Sequence, residues 1–198
     1  MKTLLTMALL ITLAAGGAFA GECEISGVIT SQRIDDPLLP AWQYTLVLDW
    51  DTGTPYALSH ANLLMDIPGG TCTCDNFVEA LTWANPMGSG PGEDGCTVNY
   101  NAFLECDGDP SIPDVEGILL KFEPVEGQDC EPANVGTMTL VFYSHLPPAP
   151  VDEDLLSLVD KFGQNHCFGY LAGDFPSMPC DPVDAAGTSF GTVKGFFR

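Results

Sequence analysis

Asp107-Gly108-Asp109-Pro110, with Asp114 four residues beyond, puts three carboxylates into one turn-rich stretch. Hard cations take several carboxylate and carbonyl oxygens, and extracellular calcium sites function even when weak. Asp107, Asp109 and Asp114 are therefore the candidate calcium ligands, and calcium is the one cofactor the residues suggest. Asp49 and Asp51 flank Trp50 and would point to one side of a strand, and Asp152-Glu153-Asp154 is a third acidic cluster. None follows the twelve-residue EF-hand spacing with its closing Glu. Exposed acidic turns are the plainer account, because 27 Asp and Glu stand against 6 Lys and Arg, a formal charge of -21.

The eight cysteines, Cys23, Cys72, Cys74, Cys96, Cys106, Cys130, Cys167 and Cys180, are the second set that can do chemistry. An even count behind an export signal favours a disulfide framework, whose connectivity is not readable from spacing. Proximity in sequence makes Cys167 with Cys180 the best single guess. The rival is a metal site on Cys72-Thr73-Cys74 with His60, His145 or His166. One intervening residue is tighter than zinc cysteines usually adopt, and no Cys-x-x-Cys accompanies it.

Catalytic patterns fare worse. Gly90-Pro91-Gly92-Glu93-Asp94-Gly95 fits the dinucleotide expression G-x-G-x-x-G, but Pro91 removes an amide and two acids would repel phosphate, so it reads as a loop. Gly187-Thr188-Ser189-Phe190-Gly191 fits a nucleophile elbow, yet no Asp, Glu or His follows Ser189 to complete a triad. His60, His145 and His166 are dispersed, and oxidised cysteines are no nucleophiles. Carboxylate pairs of the glycosidase kind are so numerous among the acids that abundance destroys the signal. Trp42, Trp50 and Trp83 raise carbohydrate stacking. Trp42 and Trp50 share a face with Tyr44, Leu46 and Leu48, which is what a core face looks like, whereas Trp83 is unconstrained by pattern.

The elements that must position these residues are short strands. Residues 42–50 alternate Trp42, Tyr44, Leu46, Leu48 and Trp50 onto one face, the period of a half-buried strand. Further strands are expected at 23–31, 56–65, 97–105, 117–123, 136–144, 155–161 and 167–172, with Gly163-Gln164-Asn165 closing a hairpin between the last two. Gly- and Pro-rich stretches at 86–95, 107–113 and 145–150 read as loops. Only 76–83 suggests a helix. The expected fold is all-β: an antiparallel β-sandwich stapled by disulfides, with at most one short helix.

Residues 1–20 read as a secretory signal, with Lys2 before the apolar run Leu4–Ala15 and an Ala18-Phe19-Ala20 cleavage site. That run is too short to span a bilayer, and no second long apolar run follows. The expected organisation is a signal peptide at 1–20, a secreted or cell-surface domain at 21–180, and a linker and aromatic, basic tail at 181–198. Ser189–Arg198 carries Phe190, Phe196 and Phe197 with Lys194 and Arg198, two of the five bases left once Lys2 is removed. It is either an address or docking segment or a last strand on the sheet edge.

Leu58-Ser59-His60, Leu63-Leu64 and Cys72, then Gly117-Ile118-Leu119-Leu120-Lys121-Phe122-Glu123, then Leu158-Val159-Asp160-Lys161-Phe162-Gly163 with Gly169, Gly173, Pro176 and Cys180, form an ordered set of short motifs. In this the chain resembles a group of poorly characterised exported bacterial domains. Those domains carry an LSH strand, a cysteine, a G-(I/L)-K-F/W strand and a late V-x-x-K-x-G hairpin ending in cysteine. Ala61 departs from the usual Trp, and there is an extra residue between Gly117 and Lys121. The resemblance implies a β-sandwich on the cell surface or outside it, no transferable catalytic residue, and a structural role for His60. The tail is similar to S-W-G-x-(I/V/L)-K-x-x-Y-R endings on some exported bacterial proteins, with Phe190 for Trp and Phe197 for Tyr, which implies a recognition or anchoring segment.

The acidity excludes a nucleic-acid partner, since nothing basic would meet a phosphate backbone. The apolar content, 45%, excludes a disordered acidic chain. The expected function is a secreted or surface structural, adhesive or ligand-binding module with no catalytic site of its own, its partner an extracellular protein or glycan. A small extracellular hydrolase acting on glycans and a calcium-dependent binder are the alternatives.

Overall fold

A computed structural model of the chain describes residues 22–66, 71–112, 115–163, 165–178 and 180. The expected signal peptide, the 181–198 linker and tail, the 187–191 elbow match and Asp114 lie outside these residues. In chain order the elements are β1 (Glu24–Arg33), β2 (Trp42–Asp51), β3 (Leu58–Asp66), α1 (Cys74–Ala80), β4 (Leu81–Thr82), β5 (Gly88–Pro91), β6 (Thr97–Glu105), β7 (Ile118–Pro124), β8 (Val135–Ser144), β9 (Pro148–Asp160) and β10 (His166–Pro176).

The long strands form where apolar side chains alternate. β2 buries Tyr44, Leu46, Leu48 and Trp50 and turns Thr45, Val47 and Asp49 the other way. The chain is mostly strand, but the sheet does not split into the two layers expected of a sandwich. It runs β2–β1–β10–β9–β3–β7–β6–β5–β8, and β8 then pairs with β2 from Trp42↔Ser144 to Asp51↔Val135, closing a nine-stranded barrel. β4 adds beside it on β8. A sandwich and a barrel demand the same alternation of inward and outward side chains, and only the backbone pairing at the edges separates them.

Closure also fixes strand direction. Going once round a ring, the direction must return to itself, so a ring of nine strands cannot be antiparallel throughout. Among the described residues the single parallel pair is β1 with β10, in the register Ser26↔Tyr170 to Ile29↔Gly173. At this seam the backbones crowd: a Cβ on Gly169 would lie 1.6 Å from the Ile25 carbonyl oxygen, and one on Gly173, whose φ is 114°, 2.0 Å from that of Ile29. Only glycine fits there.

The barrel interior is filled rather than hollow. Ile25, Ile29, Leu46, Leu48, Val98, Leu120, Phe122, Met138, Leu140, Phe142, Leu156, Leu158 and Leu171 pack in one cluster, with Tyr44 stacked on Phe142 at 5.2 Å between ring centroids. Burial, then Asp174, pushes the Tyr44 phenol up to about 12, and its hydroxyl donates to the Leu146 carbonyl.

The helix begins two residues before the expected start, where Asn76 Oδ1 accepts from the Thr73 amide and hydroxyl, and it buries Phe77. β5 lies inside the stretch expected to be a loop. Gly88-Ser89-Gly90-Pro91 has no apolar alternation to announce a strand, and its partners β6 and β8 impose one. Pro148–Pro150 likewise extends β9 instead of forming a loop.

All eight cysteines pair: Cys23–Cys167, Cys72–Cys180, Cys74–Cys106 and Cys96–Cys130. Cys167–Cys180 is therefore wrong. β10 carries the chain away from Cys167 before Cys180 is reached, while parallel pairing brings the start of β1, with Cys23, to the start of β10. Cys72 and Cys74 are both in bridges, so neither is a thiolate for a metal.

Candidate functional site

Two places on the barrel gather polar or exposed side chains whose chemistry needs an explanation. The first lies under a strap, residues 106–112 and 115–117, that packs on the outside of β3, β7 and β9 and is tied down at one end by Cys74–Cys106. The outward faces of those strands are covered by it, and a second small core of Ile112, Val115, Leu119 and Val159 forms beneath, with Leu64 against it.

Asp109 lies in that layer with its side chain 1% exposed. Its Oδ1 accepts from the Ser111 amide at 2.9 Å and the Ser111 hydroxyl at 2.6 Å. Its Oδ2 sits 2.8 Å from His60 Nε2 on β3 and 3.2 Å from Lys121 Nζ on β7. Lys121 also meets Glu123 at 2.7 Å. Burial alone would raise the Asp109 carboxyl, but the Ser111 bonds, His60 and Lys121 outweigh it and hold the group at about 2. Burial also works against the Lys121 charge, and Glu123 and Asp109 more than restore it. His60 moves down, chiefly from burial and then from Lys121, so its imidazole is neutral at pH 7.

Serine, histidine and aspartate within hydrogen-bonding distance have the composition of a nucleophilic triad, but the bonds run the wrong way. A triad histidine takes the serine proton on one ring nitrogen and shows the other to the acid. Here Ser111 donates its proton to Asp109 directly and accepts from His60 Nε2, while His60 Nδ1, 3.2 Å from the Ser59 hydroxyl, faces away. The network supports a different task, fastening the strap to the wall. His60 of the LSH motif and Lys121 of the G-x-x-x-K-F strand, far apart in sequence, converge on one carboxylate.

The three candidate calcium ligands are thereby separated in role. Asp109 is buried and held by Ser111, His60 and Lys121, Asp107 is exposed, and Asp114 lies outside the described residues. Among the described residues no three His, Cys, Asp or Glu side chains group as a metal would require. Asp152-Glu153-Asp154 falls within β9. Trp83 is half-buried, its indole N–H donating to the Ala102 carbonyl. Trp50 is core, bonded through its indole to Ala133.

The second place is an open cleft of about 570 Å³ on the outer wall where β1, β2, β8 and β10 lie side by side. Glu24, Ser26, Asp49, Asp51, Val135, Thr137 and Phe168 line it, with Trp50 and Gly136 at its floor. The registers place two rows across the wall. One runs Thr137–Asp49–Ser26–Tyr170 and the other Val135–Asp51–Glu24. Short side chains in the middle and larger ones at the margins make the hollow. Val135 is 52% exposed, Phe168 43% and Tyr170 42%.

Asp49 and Asp51 do point to one side, as their spacing requires. The exposed Phe168 and Tyr170 were not anticipated as a site, although alternation against buried Cys167 and Leu171 marks them as outward. Ser111 and Lys121 carried no signal, because nothing in a single sequence shows which strand a strap will cover. Among the described residues no helix is long and apolar enough to cross a membrane. No protein-family model matches the chain, and searches of curated proteins and of solved structures found no match either.

Proposed function

We propose that this chain is an exported, disulfide-stapled binding module that engages its partner through the outer wall of β1, β2, β8 and β10, with no catalytic site of its own. The observation that carries this reading is the cleft at Glu24, Asp49, Asp51 and Phe168, bordered by exposed aromatic and aliphatic side chains. Solvent-facing apolar side chains beside convergent polar groups are what a recognition surface presents. Among the described residues the interior is filled by one apolar cluster rather than by a ligand chamber, and the strap network is occupied in holding the fold together. Four bridges suit a module that must persist in an oxidising exterior. The family likeness of the LSH and G-x-x-x-K-F strands points the same way.

The test is binding of the oxidised protein to arrays of extracellular glycans and surface proteins, repeated with Phe168→Ala and with Asp49→Asn. Loss of at least tenfold in affinity, about 1.4 kcal/mol, is expected from Phe168→Ala with no change in thermal stability beyond about 2 °C. Ligand binding indifferent to both substitutions would refute the assignment of this face. Turnover of a substrate, abolished by changing one acid, would refute a non-catalytic module.

A further inference from the structure

Asp109 and Lys121 are a carboxyl and an amine pressed together away from water, the two halves of an amide. Lys121 Nζ lies 3.2 Å from Asp109 Oδ2, with the side chains 14% and 1% exposed. The two carboxyl oxygens are held differently. Oδ1 is fixed by the Ser111 amide and hydroxyl at 2.9 and 2.6 Å, whereas Oδ2 is enclosed yet accepts no aligned hydrogen bond. Glu123, two residues along β7 and so on the same face as Lys121, sits 2.7 Å from Nζ. His60 Nε2 stands 2.8 Å from Oδ2. A tether needs only opposite charges. An amine against a carboxyl, a base on that amine and two donors on one carboxyl oxygen are the parts that acyl transfer uses.

We propose that this cluster is a self-modification site, in which Lys121 and Asp109 condense to an isopeptide bond that fastens the strap to β7. Burial is the largest influence on both groups and drives each toward the neutral form that reacts, while their neighbours hold the resting pair ionised. One proton passing from Nζ to Oδ2 makes the amine and the acid. The amine then attacks Cγ, Glu123 takes a second proton from the nitrogen, and the charge gathering on Oδ1 meets the Ser111 amide and hydroxyl. That second proton goes on to Oδ2, which leaves as water beside His60 Nε2. The Nζ–Cγ bond forms and the Cγ–Oδ2 bond breaks. Both protons shed by the ammonium depart in the water, and no oxidant or reductant takes part. Holding the two groups in one place replaces a bimolecular encounter with an intramolecular step, among the largest rate effects available to a protein. The reaction happens once per chain and turns over no substrate, so it is independent of which face of the barrel meets a partner. Its product joins Cys74–Cys106 in holding the strap, and unlike that bridge it survives reduction.

The experiment uses the full chain, exported, folded and left overnight, then reduced, denatured and weighed. The native protein is expected to be lighter than its sequence by one water. Proteolysis after glutamate cuts at Glu105, Glu116 and Glu123. Segments 106–116 and 117–123 should then leave as one branched peptide joined through Asp109 and Lys121. Lys121→Arg, which keeps a cation opposite Asp109 but no condensing amine, should show the full mass and two separate segments. Its Ile112 and Val115 amides should exchange at least fivefold faster than those of the native protein. Glu123→Gln should be less than a tenth bonded after the same interval, and bonding at the native rate would overturn the part given to Glu123. The native mass decides the proposal even if that variant fails to fold. A native chain of full mass, with segments 106–116 and 117–123 separate, would overturn the bond. So would a missing water that stays within 106–116, where Asp107-Gly108 can cyclise on its own, or one that Lys121→Arg also lacks.

Discussion

Removing the Asp109 carboxylate should loosen the strap from the barrel, and the contacts set the size of the effect. Asp109→Ala strips two hydrogen bonds to Ser111, at about 1 kcal/mol each or less. It also takes one of two carboxylates from Lys121, whose side chain is 14% exposed. Fully orphaning a buried charge costs about 3–5 kcal/mol. Glu123 stays 2.7 Å away and is itself partly solvated, so about 1–2 kcal/mol is the expected share. Together these give about 3 kcal/mol, or about 6–12 °C in the melting temperature of a domain this size. Urea unfolding with all four bridges intact measures the free energy, and hydrogen exchange at the Ile112 and Val115 amides, which bond within the strap, measures its opening. Lys121→Met in the Asp109→Ala background should cost less than the sum of the two single changes by about 1 kcal/mol or more. A loss below about 0.5 kcal/mol with unchanged strap exchange, or strictly additive substitutions, would refute the view that this ion pair fastens the strap.

The same cluster sets an acid limb. Folded His60 resists the proton that the unfolded imidazole accepts, so stability is full above about pH 7 and falls as pH drops through about 6.5. Asp109, held near 2 in the fold, adds a second loss of up to about 2 kcal/mol between about pH 4 and pH 2. His60→Gln should flatten the first limb and leave the second, and an unchanged first limb would show that another group causes it. Gly169→Ala should destabilise by at least about 3 kcal/mol, because its Cβ meets the Ile25 carbonyl rather than a side chain able to turn aside. Denaturation midpoints near the native value would mean that the β1–β10 seam accommodates a methyl group at this position. Non-reducing peptide maps should recover the four pairs with Cys23–Cys167 among them. Cys23→Ser/Cys167→Ser, which opens a 144-residue separation, should cost up to about 5 kcal/mol by urea unfolding.

Much of the strand pattern was legible because burial of alternate side chains is a local rule. Residues 97–105 were delimited to the residue, and 42–50 within one, since aromatic and branched side chains there switch face at every step. β5 was not legible, because Gly88-Ser89-Gly90 has no side chains to alternate. The outward pairing of Asp49 with Asp51 followed from the same period of two. Ser111 and Lys121 as partners of Asp109 did not, because the three come from different elements that only the strap brings together. Cysteine count predicted that all eight would pair, but sequence distance misled about which, since parallel pairing of the first and last long strands joins Cys23 to Cys167.

Composition and periodicity establish a strand-built, acidic, cysteine-paired domain, because they act over a few residues and do not depend on which strand lies beside which. Tertiary structure alone decided that the sheet closes into a barrel, that the last long strand runs parallel to the first, and that Asp109 is locked under a strap. Each of those depends on hydrogen bonds or charge contacts between segments dozens of residues apart. An alternating strand offers the same edge to every possible neighbour, and closure of a nine-strand ring, which obliges at least one parallel pair, is a property of the whole set.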